Sequence, residues 1–368
     1  STIIMALAFI IFAHQIAGAL FEGNMQIMYI VIIISFLACI NLMFLSYFRT
    51  FQRIKHYSLF LVLQTYIGVG VSILLTALNQ PIEMVVLGLL TGYLAVFIIM
   101  GSLIVKYLGL NFKIKKLTEE LKFAIPTVPS NVSSWVVDSS DKFVIGIILG
   151  ASAVGCYSPG YALGSILLMF LSPFAILLPA VLPQYYDSGN MQKVDTFLRY
   201  SLKYYLVFTI PAAVGMSILS KPLLLVLTTD VIAAQGYLVT PAVALGALFM
   251  GVYGITNNIL ILEKKTNILG HLWTGVAILN IILNIIMVPY LGIFGASIAT
   301  LICYIMAFAV TVYHSRKYAK LPFDYKAIAK IIVASVIMGI FVEIAHPTGL
   351  VNIIIVVVIA VVIYLAAL

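Results

Sequence analysis

The chain has 368 residues, of which 63% are hydrophobic and only 9% are charged. Soluble proteins carry about 25% charged residues, so this composition excludes a soluble globular protein and indicates a polytopic membrane protein. The formal net charge of +8 is spread over short connections rather than gathered on one surface, which argues against nucleic acid as a partner.

Twelve apolar stretches of about 20 residues recur along the sequence, each long enough to cross a roughly 30 Å hydrocarbon core as an α-helix. The predicted fold class is therefore an all-α polytopic membrane protein with about 12 transmembrane helices. The spans are predicted at residues 1–20, 25–46, 57–78, 84–105, 123–149, 155–183, 197–219, 237–262, 267–289, 293–314, 326–345 and 350–368.

Basic residues in the connections fall on one side of the membrane. Lysine and arginine occupy the connections after even-numbered spans, whereas the odd-numbered connections contain Lys221 alone beside three acidic residues. The positive-inside rule places the basic side in the cytoplasm. We therefore expect a multi-pass protein of the plasma membrane, with its basic loops cytoplasmic.

Two pairs of polar residues lie within otherwise apolar spans. His14 and Gln15 are adjacent in the first span, and Asn280 and Asn284 are an i,i+4 pair in the ninth. An interhelical hydrogen bond is the favoured role for each pair. A position lining a central cavity is the alternative, and all four residues are candidates for it.

The longest cytoplasmic connection covers residues 106–122 and contains FKIKKLTEELKF. Its apolar residues alternate with Lys and Glu at the helical period, which predicts an amphipathic helix lying along the lipid headgroups. A solvated charged loop is the alternative. The connection is also the natural boundary between two helical bundles.

The fifth span places charged residues well inside an apolar helix. A charged side chain at the centre of a membrane helix costs roughly 2.5–3.5 kcal/mol on insertion scales, so it is seldom retained without a use. We predict that this helix lines a central cavity, because its polar residues recur at helical spacing on one face. They are Asn131, Ser134, Asp138, Asp141 and Lys142.

Asp138 and Lys142 are an i,i+4 pair with the acid first, the better orientation for an ion pair. A neutralised pair that joins two helices is therefore an alternative to a substrate site. Asp141 leaves a net charge of −1, which would repel a pyrophosphate. Either one carboxylate is protonated or further cations come from elsewhere, and the first option makes Asp138 or Asp141 a candidate for H⁺ or Na⁺ coupling.

Prolines interrupt the sixth, seventh and eighth spans, and they predict kinks that suit either a gating bundle or a static one. No P-loop, HExxH motif or paired CxxC is present, so we expect no ATP-binding site of this kind, no metal and no cofactor. No large outer loop is available for a catalytic site. We therefore expect a transporter rather than an enzyme, driven by an ion gradient, the membrane potential or its substrate's gradient.

Two stretches resemble a known family. Leu121–Gly160 reads LKFAIPTVPSNVSSWVVDSSDKFVIGIILGASAVGCYSPG and resembles the seventh span of polysaccharide-export flippases together with the segment after that span. The shared pattern is L-K-F-x-I-P-x-x-P-S, then D-K/R-F-x-I-G-x-x-L-G, then V-G-x-Y-S. The later stretch LNIILNIIMVPYLGIFGASIAT resembles the eleventh and twelfth spans of the same multidrug/oligosaccharidyl-lipid/polysaccharide superfamily.

The resemblance implies a two-lobed, V-shaped bundle like that of the related multidrug and toxin extrusion transporters. Residues 1–105 would be four helices of the N-lobe, with the family's first two spans missing, and 106–122 the linker. Residues 123–314 would be a six-helix C-lobe, followed by two extra helices at 326–368. The missing spans would supply cations that complete the site around Lys142.

The implied function is movement of a polyprenyl-pyrophosphate-linked oligosaccharide to the outer leaflet by alternating access. Expected partners are that lipid-linked glycan, membrane lipids, and a polysaccharide polymerase or glycosyltransferases, with the protein itself a monomer. A multidrug or small-cation antiporter of the related family is the main alternative, and it would require a net acidic cavity. A membrane-embedded glycosyltransferase or ligase and a non-transporting scaffold are less favoured.

Overall fold

The computed structural model describes residues 9–21, 23–51, 53–105, 128–318 and 323–368. Within these ranges the chain is helical and contains no β-strand, which confirms the predicted all-α class. The α-helices are α1 Ala13–Leu20, α2 Met25–Thr50, α3 Ile54–Ala77, α4 Ile82–Val105, α5 Val128–Leu149, α6 Ala151–Ser165, α7 Ser172–Asp187, α8 Met191–Leu227, α9 Asp230–Gly236, α10 Val239–Thr256, α11 Asn258–Leu262, α12 Thr266–Ser315, α13 Tyr325–Ala345 and α14 Leu350–Ala367.

Nine helical segments of the described ranges are long and apolar enough to cross a membrane. The predicted number was 12, and the structure accounts for the difference. Helix α12 holds two predicted spans, and the first span lies partly outside the described residues. Helix α5 is long enough at 22 residues, but its three charged side chains lower its apolar character. The multi-pass membrane architecture is confirmed.

Gly292 divides α12 into two arms. Its backbone has φ 60° and ψ −145°, a conformation that glycine adopts without a steric penalty. The first arm ends near Pro289. The start of the second arm packs closely against the end of the first, because a Cβ on Gly295 would lie 2.6 Å from the Met287 carbonyl oxygen. The predicted ninth and tenth spans are therefore these two arms.

The sixth predicted span contains a 3₁₀ segment between two α-helices. Helix α6 ends at Ser165, a 3₁₀ segment covers Ile166–Leu171, and α7 then starts with Pro173 in its first turn. Proline is tolerated at that position because its missing N–H has no intrahelical partner there. Pro211, by contrast, lies within the continuous helix α8.

The chain forms two compact units, Ser1–Leu117 and Thr118–Leu368. The predicted linker at 106–122, with its amphipathic helix, lies outside the described residues. In the first unit α3 and α4 pack closely because glycines occupy their contact. A Cβ on Gly88 would lie 2.6 Å from the Ser72 Oγ atom, and one on Gly92 would overlap the Gln64 carbonyl oxygen.

The second unit is built around α10 and α12. Helix α5 packs against α12, α6 packs against α10, and α8 holds α13 on its other side. Its largest fully buried side chains include Tyr157 and Tyr205, both 0% exposed. Tyr205 donates a 3.0 Å hydrogen bond to the Ala247 carbonyl oxygen, so its hydroxyl is paired within the core. This packing fixes α5 against the arms of α12, where the candidate site lies.

Candidate functional site

The buried stripe of α5 contains one charged residue. Val137 and Ile145 are 0% exposed, and Asp141, one turn from each of them, is 1% exposed. An i,i+4 stripe of this kind is normally apolar because it faces a neighbouring helix. Asp138 and Lys142 lie on the adjacent row of the same helix and are exposed. The charged residues of α5 therefore occupy two different environments.

Three side chains donate hydrogen bonds to the buried carboxylate of Asp141. The Tyr157 hydroxyl and the Thr300 hydroxyl donate to Oδ2 over 2.8 and 2.6 Å, and Asn284 Nδ2 donates to Oδ1 over 2.9 Å. Such charge-assisted bonds are among the stronger ones in proteins. These donors stabilise a buried carboxylate whose desolvation would be strongly unfavourable without hydrogen-bond partners.

The turn at Gly292 explains why Asn284 and Thr300 meet at Asp141. The two residues are equidistant from Gly292 in sequence, on opposite arms of α12. Antiparallel arms place such positions at one depth, so both side chains reach the same carboxylate. Tyr157 approaches from α6, which follows α5 after the positive-φ residue Gly150.

The predicted pair Asn280 and Asn284 is fully buried and joins this cluster. Asn284 Nδ2 also contacts the Asn280 carbonyl oxygen at 2.9 Å and its Oδ1 at 3.2 Å, and the Ser140 hydroxyl donates to that Oδ1 over 2.5 Å. Asn280 Nδ2 and Asn284 Oδ1 have no hydrogen-bond partner among the described residues. An acceptor without a partner thus lies on the residue that binds Asp141.

Asp138 and Lys142 contact different residues. The Tyr304 hydroxyl donates to Asp138 Oδ1 over 3.1 Å, and Lys142 Nζ lies 5.2 Å from the centre of the Tyr161 ring. In the described ranges a salt bridge joins Arg199 to Asp324, whereas none within 4 Å joins Asp138 to Lys142. The neutralised pair weighed from the sequence is therefore not formed here.

Four further residues are predicted to line the cavity. His14 and Gln15 are exposed side chains of α1 in the first unit. Asn131 and Ser134 belong to α5, but their side chains lie outside what the structure describes. Cavity-lining roles for these four residues stay predictions.

Sequence reasoning missed four hydroxyl-bearing residues of the site: Tyr157, Tyr161, Thr300 and Tyr304. Two signals were available. Tyr157 is the tyrosine of the V-G-x-Y-S element, and Tyr161 follows Tyr157 at i+4, so both lie on one face of α6. Thr300 and Tyr304 repeat the same spacing on α12.

The cluster around Asp141 offers carboxylate, amide and hydroxyl oxygens. Within the described residues no three His, Cys, Asp or Glu side chains gather as a transition-metal site would require. Oxygen donors of this type suit protons or hard cations. The chemistry available here is cation binding beside an exposed ammonium group.

Comparison with known proteins adds three findings. A family model described as "Polysaccharide biosynthesis protein" matches residues 1–231. The "Probable low-salt glycan biosynthesis flippase Agl15" of Haloferax volcanii is 22% identical over 213 residues, which cover 58% of this chain and 45% of that protein. The chain therefore spans less than half the length of this curated relative.

A solved structure has the same fold. The "Lipid II flippase MurJ, inward closed conformation" superposes with a TM-score of 0.81 at 21% identity, covering all of this chain and 80% of its own. At this identity the likeness establishes the fold alone.

Proposed function

Because this chain belongs to the polysaccharide biosynthesis protein family, we propose that it is a flippase for polyprenyl-pyrophosphate-linked oligosaccharides. It would move them from the cytoplasmic to the outer leaflet of the plasma membrane, with its basic loops cytoplasmic. The family and the name of the Haloferax volcanii relative, a glycan biosynthesis flippase, support the substrate class. The observation that carries the proposal is the exposed ammonium of Lys142, which forms no salt bridge within 4 Å to a carboxylate of the described residues.

Lys142 would bind the pyrophosphate of the lipid carrier. An ammonium group is a compact point charge with three donors, and in a medium less polar than water it attracts phosphate oxygens strongly. Asp138 lies one turn away, so further cations must complete the site for the substrate to bind tightly. The polyprenyl tail would stay in the lipid while the headgroup passes from one side to the other by alternating access.

Asp141 would be the coupling site for a cation, H⁺ or Na⁺. A buried carboxylate is retained in a membrane helix mainly for function. The proposal is supported by the oxygen donors around it and by the unpaired Oδ1 of Asn284, which is available to a cation. Binding of the cation would neutralise the carboxylate and weaken the hydrogen bonds that it accepts from Tyr157, Thr300 and Asn284.

We further propose a transporter without catalytic activity or cofactor, which acts as a monomer. Its partners would be membrane lipids, the lipid-linked glycan and a polysaccharide polymerase or glycosyltransferases that supply and use it. These assignments follow from the substrate class, because a flipped glycan must be made on one side and consumed on the other.

Liposome reconstitution tests the function. The full-length protein would be inserted in vesicles with a fluorescent polyprenyl-pyrophosphate oligosaccharide, whose movement is followed by quenching from outside. We expect wild-type protein to flip the lipid and Lys142→Ala to reduce the rate more than tenfold. Lys193→Ala is the matched control, because Lys193 also lies over a tyrosine ring, that of Tyr185 at 5.0 Å, away from the site.

A small-cation antiporter is the second candidate. The observation that favours it is the sum of charges on α5, which is −1 with Asp138, Asp141 and Lys142 all ionised. In the same vesicles an antiporter would export an organic cation against a proton or sodium gradient and leave the lipid in place. Lipid movement without cation export would exclude it.

A further inference from the structure

Asp138 and Lys142 have opposite charges one helical turn apart, yet each contacts a different neutral group. The acid-first i,i+4 spacing is the arrangement in which a helix favours an ion pair. Instead, Asp138 accepts a hydrogen bond from Tyr304, and Lys142 lies against Tyr161. Each of the two charges therefore contacts a tyrosine and forms no salt bridge with the other charge.

Tyr304 is held firmly at Asp138. It is 3% exposed, and its ring packs so closely on α10 that a Cβ on Gly246 would lie 3.1 Å from Tyr304 Cδ2. A phenol that donates to a carboxylate stabilises the negative charge without cancelling it. Asp138 thus has a partner other than Lys142.

Tyr161 is fixed in the same way beneath Lys142. Its ring centre lies 5.6 Å from that of Tyr157, whose hydroxyl binds the buried Asp141. The face of an aromatic ring attracts an ammonium ion through its quadrupole and leaves the net positive charge intact. The two tyrosine contacts therefore hold Lys142 and Asp138 outside salt-bridge distance, while Lys142 still attracts Asp138 over a longer distance.

We propose that Tyr161 and Tyr304 are positioning residues that keep the Lys142 ammonium apart from Asp138 and free to bind an anionic headgroup. This inference rests on the proposed function, because it assigns Lys142 to the pyrophosphate of the substrate. An ammonium already paired with Asp138 would offer that pyrophosphate little attraction. Loss of either tyrosine contact lets the ion pair form and weakens substrate binding.

Binding of polyprenyl pyrophosphate to the solubilised full-length protein tests this role. Tyr304→Phe keeps the ring and removes the donor to Asp138, and Tyr161→Leu removes the ring face beneath Lys142. We expect each to raise the Kd about tenfold. Tyr161→Phe keeps the ring face and should stay within about threefold of wild type. Tyr313→Leu is the matched control, because it removes a similar contact with Lys317, 5.6 Å away, outside the site.

Rescue by a second substitution separates positioning from a structural defect. Asp138→Asn removes the charge that competes for Lys142, so the double variant of Tyr304→Phe with Asp138→Asn should regain a Kd within about twofold of wild type. A variant that binds weakly because it is misfolded would not be rescued. A double variant as weak as Tyr304→Phe alone, or single variants that bind like wild type, would overturn the proposal.

Amine labelling without any lipid distinguishes this inference from the substrate assignment. An ammonium in an ion pair reacts more slowly with an amine reagent, which needs the neutral amine. Mass spectrometry should therefore find Lys142 labelled several-fold more slowly in Tyr304→Phe and at the wild-type rate once Asp138→Asn is added. If this labelling pattern is found but wild-type protein does not bind polyprenyl pyrophosphate, the substrate assignment is refuted. The proposal that the tyrosines keep Lys142 apart from Asp138 is then retained. Equal labelling in all variants refutes the separation.

Discussion

Asn41 in the first unit and Asp141 in the second are equally buried, each 1% exposed, and each connects neighbouring helices through polar contacts. Asn41 lies on α2 and donates from Nδ2 to Gln64 Oε1 over 3.1 Å and to the Tyr93 carbonyl oxygen over 3.0 Å. Asp141 accepts three bonds from α6 and α12. The two clusters have the same architecture and differ in charge.

The difference shows that a membrane bundle can join its helices through a neutral polar side chain and does not need a buried charge for packing. A neutral amide is sufficient to join three helices, and interhelical hydrogen bonds of this kind contribute about 0.6 kcal/mol on average. A carboxylate at the same burial costs far more to desolvate. We therefore propose that Asp141 has a role in addition to joining helices, and this is the basis for proposing it as the ion-coupling site.

Substitution of Asp141 should have the largest effect on stability. Asp141→Ala leaves the donors of Tyr157, Thr300 and Asn284 without their acceptor, and we expect the free energy of unfolding to fall by about 3 kcal/mol. Denaturant unfolding in detergent measures this loss. Asp141→Asn is the matched control, because it keeps an acceptor oxygen and should lose less.

Asp141→Asn also tests whether the charge of Asp141 is needed for ion coupling. If Asp141 binds the coupling cation, Asp141→Asn should fold but lose transport driven by a proton or sodium gradient, by more than tenfold. Gradient-driven transport equal to wild type would show that the carboxylate is structural, like Asn41.

Gly92 should have the next largest effect, because it sets the spacing at which the Asn41 cluster forms. A Cβ there would overlap the Gln64 carbonyl oxygen, so Gly92→Ala must push α3 and α4 apart. We expect a loss of about 2 kcal/mol in the free energy of unfolding. Gly70→Ala on α3 is the control, since no atom lies within 4 Å of its Cβ. Equal stability of the two variants would contradict the close packing.

Asn41→Ala should have a smaller effect and leave function intact. It removes the bonds to Gln64 and to the Tyr93 carbonyl, and we expect about 1 kcal/mol of lost stability. The folded variant should flip lipid at the wild-type rate in reconstituted vesicles. A severe loss of transport with normal stability would contradict a purely structural role for Asn41. It would indicate a functional site in the first unit as well.

The sequence predicted the charged face of α5 but not the partners of its residues. Charged residues in an apolar helix are visible because they interrupt a strong compositional pattern. Their partners are ordinary tyrosines and a threonine, and Thr300 and Tyr304 lie more than 150 residues from α5 in the chain. Only the packing of α5 against α6 and against both arms of α12 selects those hydroxyls.

Tertiary contacts that the sequence does not reveal also explain why Asp138 and Lys142 form no salt bridge. Helical spacing predicts that these side chains are neighbours, and the structure places them one turn apart as expected. Spacing carries no information about Tyr161 and Tyr304, which compete for the two charges from other helices. The all-α membrane class was predictable, since length and apolar character are local properties, whereas pairing depends on tertiary contacts.

Arg199→Ala should have the smallest effect, although it removes a salt bridge between α8 and the start of α13. The Arg199 and Asp324 side chains are 57% and 28% exposed, and their charged atoms are 3.6 Å apart. Solvent screens such a pair, so we expect the free energy of unfolding to change by less than about 1 kcal/mol. Asp324 also caps α13 by accepting from the Ala327 N–H, so Asp324→Ala should cost more than Arg199→Ala. If the arginine variant proved as unstable as Asp141→Ala, charge itself rather than its burial would control stability in this protein, and the contrast between Asp141 and Asn41 would lose its physical basis.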